Sequence, residues 1–215
     1  MSFYWANFRS IDGHTLRFDT RIYLADMTDP KDTDVCICAV VGKNPGAALP
    51  RNPSVCGLQP INLGNDKLLP TVQNRVLDAY KTLNKKPPDR AYIQVLNLFY
   101  LCDQKLDAAI KAADEFQKTH GKLPEELAEK KHFPWMWFVW GGDDKFLNQF
   151  KDRFRRDKTK PVFLGKTSMP GQYQGIYDFP ADDVLARHTQ GASSKQIVDA
   201  ICEIMKESFM SQNTK

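Results

Sequence analysis

Hydrophobic and polar residues alternate along this chain in a way that predicts strands and helices in turn. Residues 15–26, TLRFDTRIYLAD, alternate with a period of two, which predicts a half-buried strand after a turn at Asp12-Gly13. Continuous apolar runs are typical of strands covered on both faces. Five further segments predict strands: VCICAVVG (35–42), AYIQVLNLFYL (91–101), PWMWFVWGG (134–142), PVFLG (161–165) and QGIYDFP (174–180).

Apolar residues also recur at helical spacing between these strands. Leu69, Val72, Val76, Tyr80 and Leu83 predict a helix over 68–84, which the Pro87-Pro88 pair ends. Three more helices are predicted at 107–121, 143–156 and 193–209, the last of them capped by Ser193 or Ser194.

The segment from Gly46 to about Gly64 lacks either periodicity and is rich in Pro, Asn and Gly. We expect it to be irregular. A loop of this length inside a compact domain is usually functional or ordered by a ligand.

Strands that alternate with helices favour an α/β fold with a mainly parallel central sheet, and 215 residues suit one domain spanning 1–215. No run of eighteen apolar residues is present, so no membrane span is expected. The first ten residues do not resemble a secretory signal, and the odd number of cysteines, five, favours free thiols. We therefore expect a cytoplasmic protein.

Positive charge is concentrated in residues 145–161, which contain seven lysines and arginines but only two aspartates. The net charge of the whole chain is +4. A cluster of this kind is either a solvated helix face or a surface that attracts the phosphate backbone of a nucleic acid.

Three of the predicted buried strands carry candidate site residues at or near their carboxyl ends: Asn44 follows the strand at 35–42, Asn97 lies within 91–101, and the Trp140-Gly141 pair closes 134–142. Ligands bind outside the carboxyl ends of strands in open parallel sheets. An asparagine amide offers donors and an acceptor, which suits it to read the edge of a nucleobase. Alternatively, Asn97 ties down neighbouring backbone, and Asn44 bonds its own turn.

The order of these motifs, G-K-N-P-G (42–46), V-L-N (95–97) and F-V-W-G-G (138–142), resembles that of the uracil-DNA glycosylase superfamily, especially its mismatch-specific members. It also resembles a bacterial domain family of unknown function that usually carries L-N-P-S in the first motif. The resemblance implies a three-layer, uracil-DNA glycosylase-like α/β sandwich. Residues 34–210 would form its core, and residues 1–33 a strand or hairpin extension.

The resemblance also implies roles for individual residues. Asn44 would position the attacking water, and Asn97 would read a flipped pyrimidine. His188, in RHTQGASS (187–194), would stabilise the departing base; a competing alignment places the last motif at 164–175. The remaining implied contacts to the substrate are Gly42, Lys43, Pro45, Gly46, Phe99, Trp140, Gln190 and Ser193. The implied contacts to the DNA backbone are Arg51, Lys145, Arg153, Arg155 and Arg156.

The expected function is therefore that of a monomeric DNA glycosylase without metal or cofactor, acting on duplex or single-stranded DNA. The neutral Asn44, the long 46–64 segment and the absence of proline from the last motif favour a modified pyrimidine, such as hydroxymethylated or glucosylated cytosine in phage DNA, and a role in antiviral defence. Two alternatives stay open: an inactive nucleic-acid or nucleotide-binding module, and a hydrolase of a small nucleotide-like molecule. The chain lacks G-x-S-x-G, a complete P-loop and G-x-G-x-x-G.

Overall fold

The computed structural model describes residues 2–52, 57–142, 145–189 and 192–212. Its strands are β1 (Ser2–Ile11), β2 (His14–Met27), β3 (Val35–Gly42), β4 (Leu49–Pro50), β5 (Leu58–Asn62), β6 (Ala91–Asn97), β7 (Trp135–Phe138), β8 (Lys160–Lys166) and β9 (Tyr173–Ile176). Its α-helices are α1 (Leu68–Thr82), α2 (Leu106–His120), α3 (Lys145–Asn148) and α4 (Ser194–Gln212).

The strands form one sheet in the order β4-β5-β1-β2-β6-β3-β7-β8-β9. Only the central strands β6, β3, β7 and β8 pair in parallel; the other five of the eight described pairings are antiparallel. The expectation of a mainly parallel, glycosylase-like three-layer sandwich is therefore wrong. The chain folds around a mixed sheet with antiparallel edges.

The lengths of the connections explain this difference. Parallel neighbours need a crossover of a dozen or more residues, whereas a short turn can return the chain only antiparallel. The turn at Asp12-Gly13 joins β1 to β2, and a six-residue turn at 167–172 joins β8 to β9. The 46–64 segment, expected to be irregular, contributes β4 and β5, which extend the sheet beyond β1.

Both faces of the central strands are buried, as their apolar runs predict. Along β3, Cys38 and Val40 face one core cluster together with residues of α1 and α4, and Ala39 and Val41 face a second cluster with residues of α2. The helices predicted at 68–84, 107–121 and 193–209 all form, within a few residues of the predicted ends. Ser193 accepts a hydrogen bond from the Gln196 N–H at the start of α4, as the capping prediction requires.

The prediction of a helix over 143–156 is wrong. In the described part of this segment, α3 is a single helical turn. The chain then continues through tight turns in which an N–H donates to the carbonyl three residues earlier, as Phe154 does to Lys151. This winding buries Leu147, Lys151 and Phe154 together. Contacts outside the segment accompany this winding, such as the bond from the Lys151 Nζ to the carbonyl of Asp182 (2.7 Å), and the local pattern of the segment does not encode them.

No described helix is long and apolar enough to cross a membrane. The cysteines at 36, 38, 102 and 202 are free, and Cys56 lies outside the described residues.

Asp34 joins the antiparallel and parallel parts of the sheet at the start of β3. Its buried carboxylate accepts hydrogen bonds from the Tyr23 hydroxyl (2.7 Å), from the Lys31 N–H (2.8 Å) and from the Arg90 guanidinium. Burial alone would raise the pKa of Asp34, but the bonds from Arg90, the Lys31 backbone and Tyr23 outweigh it and lower that pKa.

We expect Asp34→Ala to lower the free energy of unfolding at pH 7 by about 2–3 kcal/mol, because charged hydrogen bonds at a buried site are lost. Since the pKa of Asp34 is lowered in the fold, its ionised carboxylate stabilises the folded protein fully at pH values above the ordinary pKa of an aspartate. This stabilisation is lost as the pH falls through the lowered pKa. Urea unfolding at pH 7 and in acid should show the difference from wild type shrinking in acid. Asp29→Asn, a substitution at a mostly exposed carboxylate nearby, should cost less than about 0.5 kcal/mol; an equal loss would contradict the assignment.

Candidate functional site

A cavity of about 250 Å³ lies at the carboxyl end of β3, beside the start of α1. Asn44 and His188, far apart in sequence, both line it. The other lining residues come from the turn after β3, from the residues at the start of α1 and from the loop after β6: Pro45, Gly46, Ala47, Asn65, Asp66, Lys67, Leu68 and Gln104. Of the described part of the 46–64 segment, Gly46 and Ala47 line this cavity, whereas β4 and β5 lie at the sheet edge.

Asn44 is held by a neighbouring loop rather than by its own turn. Its Nδ2 donates to the carbonyl of Asp103 (2.9 Å), and the N–H of Phe99 donates to the carbonyl of Lys43 (3.2 Å). The first bond fixes the plane of the amide. Within the described residues no hydrogen bond ends on the Oδ1 of Asn44, so this oxygen remains available to accept one from a ligand or a water molecule.

His188 reaches the cavity because the chain before it is bonded to the end of the sheet. Gly141 and Ala186 exchange both backbone hydrogen bonds, at 2.7 and 3.1 Å, and the Arg187 N–H donates to the carbonyl of Leu164 (2.9 Å). The W-G-G motif thus fixes the segment that carries His188. The competing segment, 164–175, is instead the end of β8, the hairpin turn and the start of β9.

The electrostatic surroundings of His188 favour its neutral form. Burial lowers the pKa of this imidazole, and the charges of Lys43 and Arg187 lower it further, against an opposing effect of Asp66. Lys43 extends toward the glycines after β7: a Cβ added at Gly141, whose φ is +78°, would lie 3.6 Å from its Nζ. At neutral pH His188 can therefore donate one hydrogen bond without carrying charge.

Asn97 is buried below the cavity instead of lining it. It lies opposite Gly42 in the parallel ladder and is 1% exposed. Both its Oδ1 and its Nδ2 lack a hydrogen-bond partner among the described residues. A Cβ added at Gly42 would lie 3.1 Å from that Oδ1, so the absence of a side chain at Gly42 leaves room for the amide. Among the described residues, the Asn97 amide makes no hydrogen bond to neighbouring backbone, as the alternative interpretation would require.

The sequence offers three aromatic residues for stacking on a base, Phe99, Tyr100 and Trp140, and all three are fully buried in the second core cluster. The Trp140 ring packs against Phe138 and Phe179, with centroids 4.8 and 5.8 Å away. Its Nε1 has no partner within the described residues. Stacking by any of the three rings stays a prediction, and none of them borders the cavity.

The basic run 145–161 does not form one solvated face. Lys151 is buried and donates to the carbonyl of Asp182 (2.7 Å). Arg153 donates to the carbonyls of Asn97 and Leu98 at 2.9 and 2.8 Å, and its Nε lies 3.0 Å from the carboxylate of Glu129.

Of the other residues proposed to contact DNA, Arg156 donates to the carbonyls of Glu129 and Lys131. Arg51, Lys145 and Arg155 are exposed, and the Arg155 guanidinium covers the Phe179 ring at 4.2 Å. Contacts from these residues to DNA stay predictions. Gln190, a proposed substrate contact, lies outside the described residues, and Ser193 is exposed at the cap of α4.

Sequence reasoning missed two charged residues, Asp66 and Arg17. Asp66 lines the cavity and begins α1: its Oδ1 accepts the N–H groups of Leu68 (2.8 Å) and Leu69 (3.2 Å). The Arg17 Nη1 on β2 lies 3.8 Å from the other carboxylate oxygen of Asp66. An aspartate two residues before an apolar-periodic segment is a recognisable capping signal, whereas nothing in the sequence indicates that Arg17 is buried.

Compared with models of protein families, with curated proteins and with solved structures, the chain matches none. Among the described residues, no group of three or more His, Cys, Asp or Glu side chains is arranged to hold a metal ion.

The unpartnered amide of Asn97 yields a stability prediction. Asn97→Leu keeps the shape and removes two buried polar atoms, so we expect the free energy of unfolding to rise by about 1 kcal/mol. Gln94→Leu on the same strand is the matched control, because the Nε2 of Gln94 donates to the carbonyl of Thr20 (3.1 Å). That variant should lose about 1–3 kcal/mol in urea unfolding. A comparable loss for Asn97→Leu would show that its amide is already bonded in the folded protein.

The pKa of His188 yields a second prediction. We expect Lys43→Met to raise the pKa of His188 toward the ordinary value of about 6.5, because one of the charges that oppose protonation is removed. The pKa is measured by NMR titration of the ring protons, with the His188 signal assigned from the His188→Gln spectrum. Lys111→Met, on an exposed lysine of α2, should leave the His188 titration unchanged. An unmoved pKa in Lys43→Met would mean that its ammonium does not act on the imidazole.

Proposed function

We propose that the protein is a DNA glycosylase that hydrolyses the N-glycosidic bond of a flipped, modified pyrimidine and leaves an abasic site. One observation carries the proposal: Asn44 and His188, the two residues to which the motif resemblance gives the chemistry, line the same cavity. Nothing in their separation along the sequence requires this.

The reaction places positive character on the sugar and negative charge on the departing base. The enzyme must present a water molecule to the anomeric carbon and donate hydrogen bonds to the base. Asn44, whose Nδ2 is held by Asp103, would orient the water through its Oδ1. His188, kept neutral by its surroundings, would donate its N–H to an oxygen of the departing base.

The residues of the cavity wall support a particular kind of base. Gly46 and Ala47 add little side-chain volume, and Asn65 and Gln104 add exposed amides that can bond polar substituents. A hydroxymethyl or glucosyl group on a pyrimidine carries hydroxyl groups that such amides recognise. These features support an enlarged, polar pyrimidine as the substrate, as in modified phage DNA, and a role in defence.

Duplex and single-stranded DNA carrying uracil, mismatched thymine, hydroxymethylcytosine or glucosylated hydroxymethylcytosine would be incubated with the protein and treated with alkali, which breaks the chain at abasic sites. We expect breaks with one of the modified cytosines. Asn44→Ala should lower the single-turnover rate by about 10²-fold or more, the usual effect of removing one preorganised polar group from such a site. Asn74→Ala, an exposed asparagine on α1, should retain the wild-type rate.

A binding module without catalysis is the second candidate, and the position of Asn97 favours it, because this amide does not line the cavity. Measuring DNA affinity at several salt concentrations separates the two. Affinity that falls steeply with salt while no substrate yields abasic sites would identify binding alone. Hydrolysis of free nucleosides without DNA affinity, or full activity of Asn44→Ala, would count against the glycosylase.

A further inference from the structure

Asp66 is the one carboxylate among the described residues that line the cavity with Asn44 and His188. An amide such as that of Asn44 can orient water but cannot take up its proton. We infer that Asp66 is the general base that accepts the proton of the attacking water, and that Arg17 positions and balances its charge. This inference rests on the proposed glycosylase activity and adds a catalytic residue to it.

The two oxygens of Asp66 have different surroundings. Oδ1 accepts the N–H groups of Leu68 and Leu69 at the first turn of α1, so it fixes the carboxylate in place. Oδ2 takes part in no hydrogen bond within the described chain and faces Arg17, with Nη1 3.8 Å away. One oxygen thus serves the helix, and the other is left with the lone pairs that a proton transfer needs.

Arg17 is 2% exposed, and its Nε and Nη1 lack hydrogen-bond partners among the described residues. Burial lowers the pKa of this guanidinium. The nearby Cys102, Asp66 and Glu126 act in the opposite direction but do not outweigh the effect of burial. The separation of 3.8 Å from Asp66 is an ion pair but is longer than a hydrogen bond. A buried cation of this kind is costly unless an opposite charge is close. Arg17 and Asp66 therefore depend on each other, and Arg17 reaches the cavity only through Asp66.

Other titratable groups also face Asp66. Tyr4 on β1, whose hydroxyl donates to Gln73, lies within its electrostatic reach, as does His188 before α4. Lys67 is its neighbour in the cavity wall, and Lys43 acts on the same His188. Asp66 is thus the one carboxylate among the described residues of the cavity wall, with Lys67 in the same wall and Arg17 paired with its Oδ2.

The inferred step is the hydrolysis of the N-glycosidic bond by one water molecule. The water oxygen bonds to the anomeric carbon while the bond from that carbon to the base nitrogen breaks. The electron pair of the broken bond leaves on the base, whose oxygen accepts a hydrogen bond from His188. The proton released by the water passes to Oδ2 of Asp66. The base then takes a proton from solvent and Asp66 returns its proton to solvent, so one water molecule is consumed in total.

Asp66→Asn is the test, because asparagine caps helix N-termini about as well as aspartate and so keeps the bonds to Leu68 and Leu69. On the base that wild type removes, we expect the single-turnover rate to fall by about 10²-fold or more. The wild-type rate should decline in acid as the carboxylate takes up a proton, and the residual rate of Asp66→Asn should lack this decline. A purely structural role would lower the rate without changing its pH dependence.

Removing Asp66 alone strands the buried charge of Arg17, so the double variant Arg17→Met with Asp66→Asn accompanies it. We expect this variant to melt near the wild-type temperature and to be as inactive as Asp66→Asn. Recovery of activity in the double variant would show that the loss came from the stranded arginine and would overturn the inference.

The remaining outcomes separate the inference from the proposed function. Asp66→Asn within threefold of wild type, or a wild-type rate that does not decline in acid, would overturn the role of Asp66 while the glycosylase stands. A wild-type protein that removes no base from any of the substrates would overturn both.

Discussion

The parallel pairing of β3 with β6 is the constraint on which the candidate site depends. It places Gly42 opposite Asn97, and the ladder continues past both strands through the bonds from Leu98 and Phe99 to the carbonyls of Gly42 and Lys43. A shift by one residue would turn each buried side chain of these strands to the other face. Because both faces are packed, that shift is forbidden, and the turn carrying Asn44 has one position.

The antiparallel extension takes part in the same site. β2 pairs with β6 on the side away from β3, and it thereby brings Arg17 beneath the loop that follows β6 and next to Asp66. β1 contributes Tyr4, which bonds Gln73 on α1. The helix that begins at the cavity is thus fixed by the N-terminal hairpin as well as by the central strands. Within residues 2–33, β1 and β2 belong to the same sheet as the central strands.

The sequence predicts those features that depend on local pattern. β3, β6, α1 and α4 each bury a contiguous or regularly spaced apolar set, so their existence follows from the residues themselves. The segment 143–156 has the spacing of a helix, yet tertiary packing of Lys151 beside Trp140 decides its shape. Strand direction at the edges, and the meeting of Arg17 with Asp66, depend on long-range register, which no local pattern encodes. The same holds for Asn97: its motif indicates a polar role, but not that the residue is buried opposite Gly42.

Three residues with buried polar atoms that lack partners among the described residues, Asn97, Trp140 and Arg17, lie at the end of the sheet that carries the candidate site. Asn97 ends β6, Trp140 follows β7, and Arg17 is paired with Asp66 of the cavity. Each unsatisfied buried group costs about 1–3 kcal/mol, so three of them consume a large share of the roughly 5–15 kcal/mol that stabilises a domain. Leucine, phenylalanine and methionine would fill the same space without that cost. A chain that keeps these three polar groups gives up stability where its motifs converge, and such conflicts between local chemistry and packing concentrate at sites that bind or react.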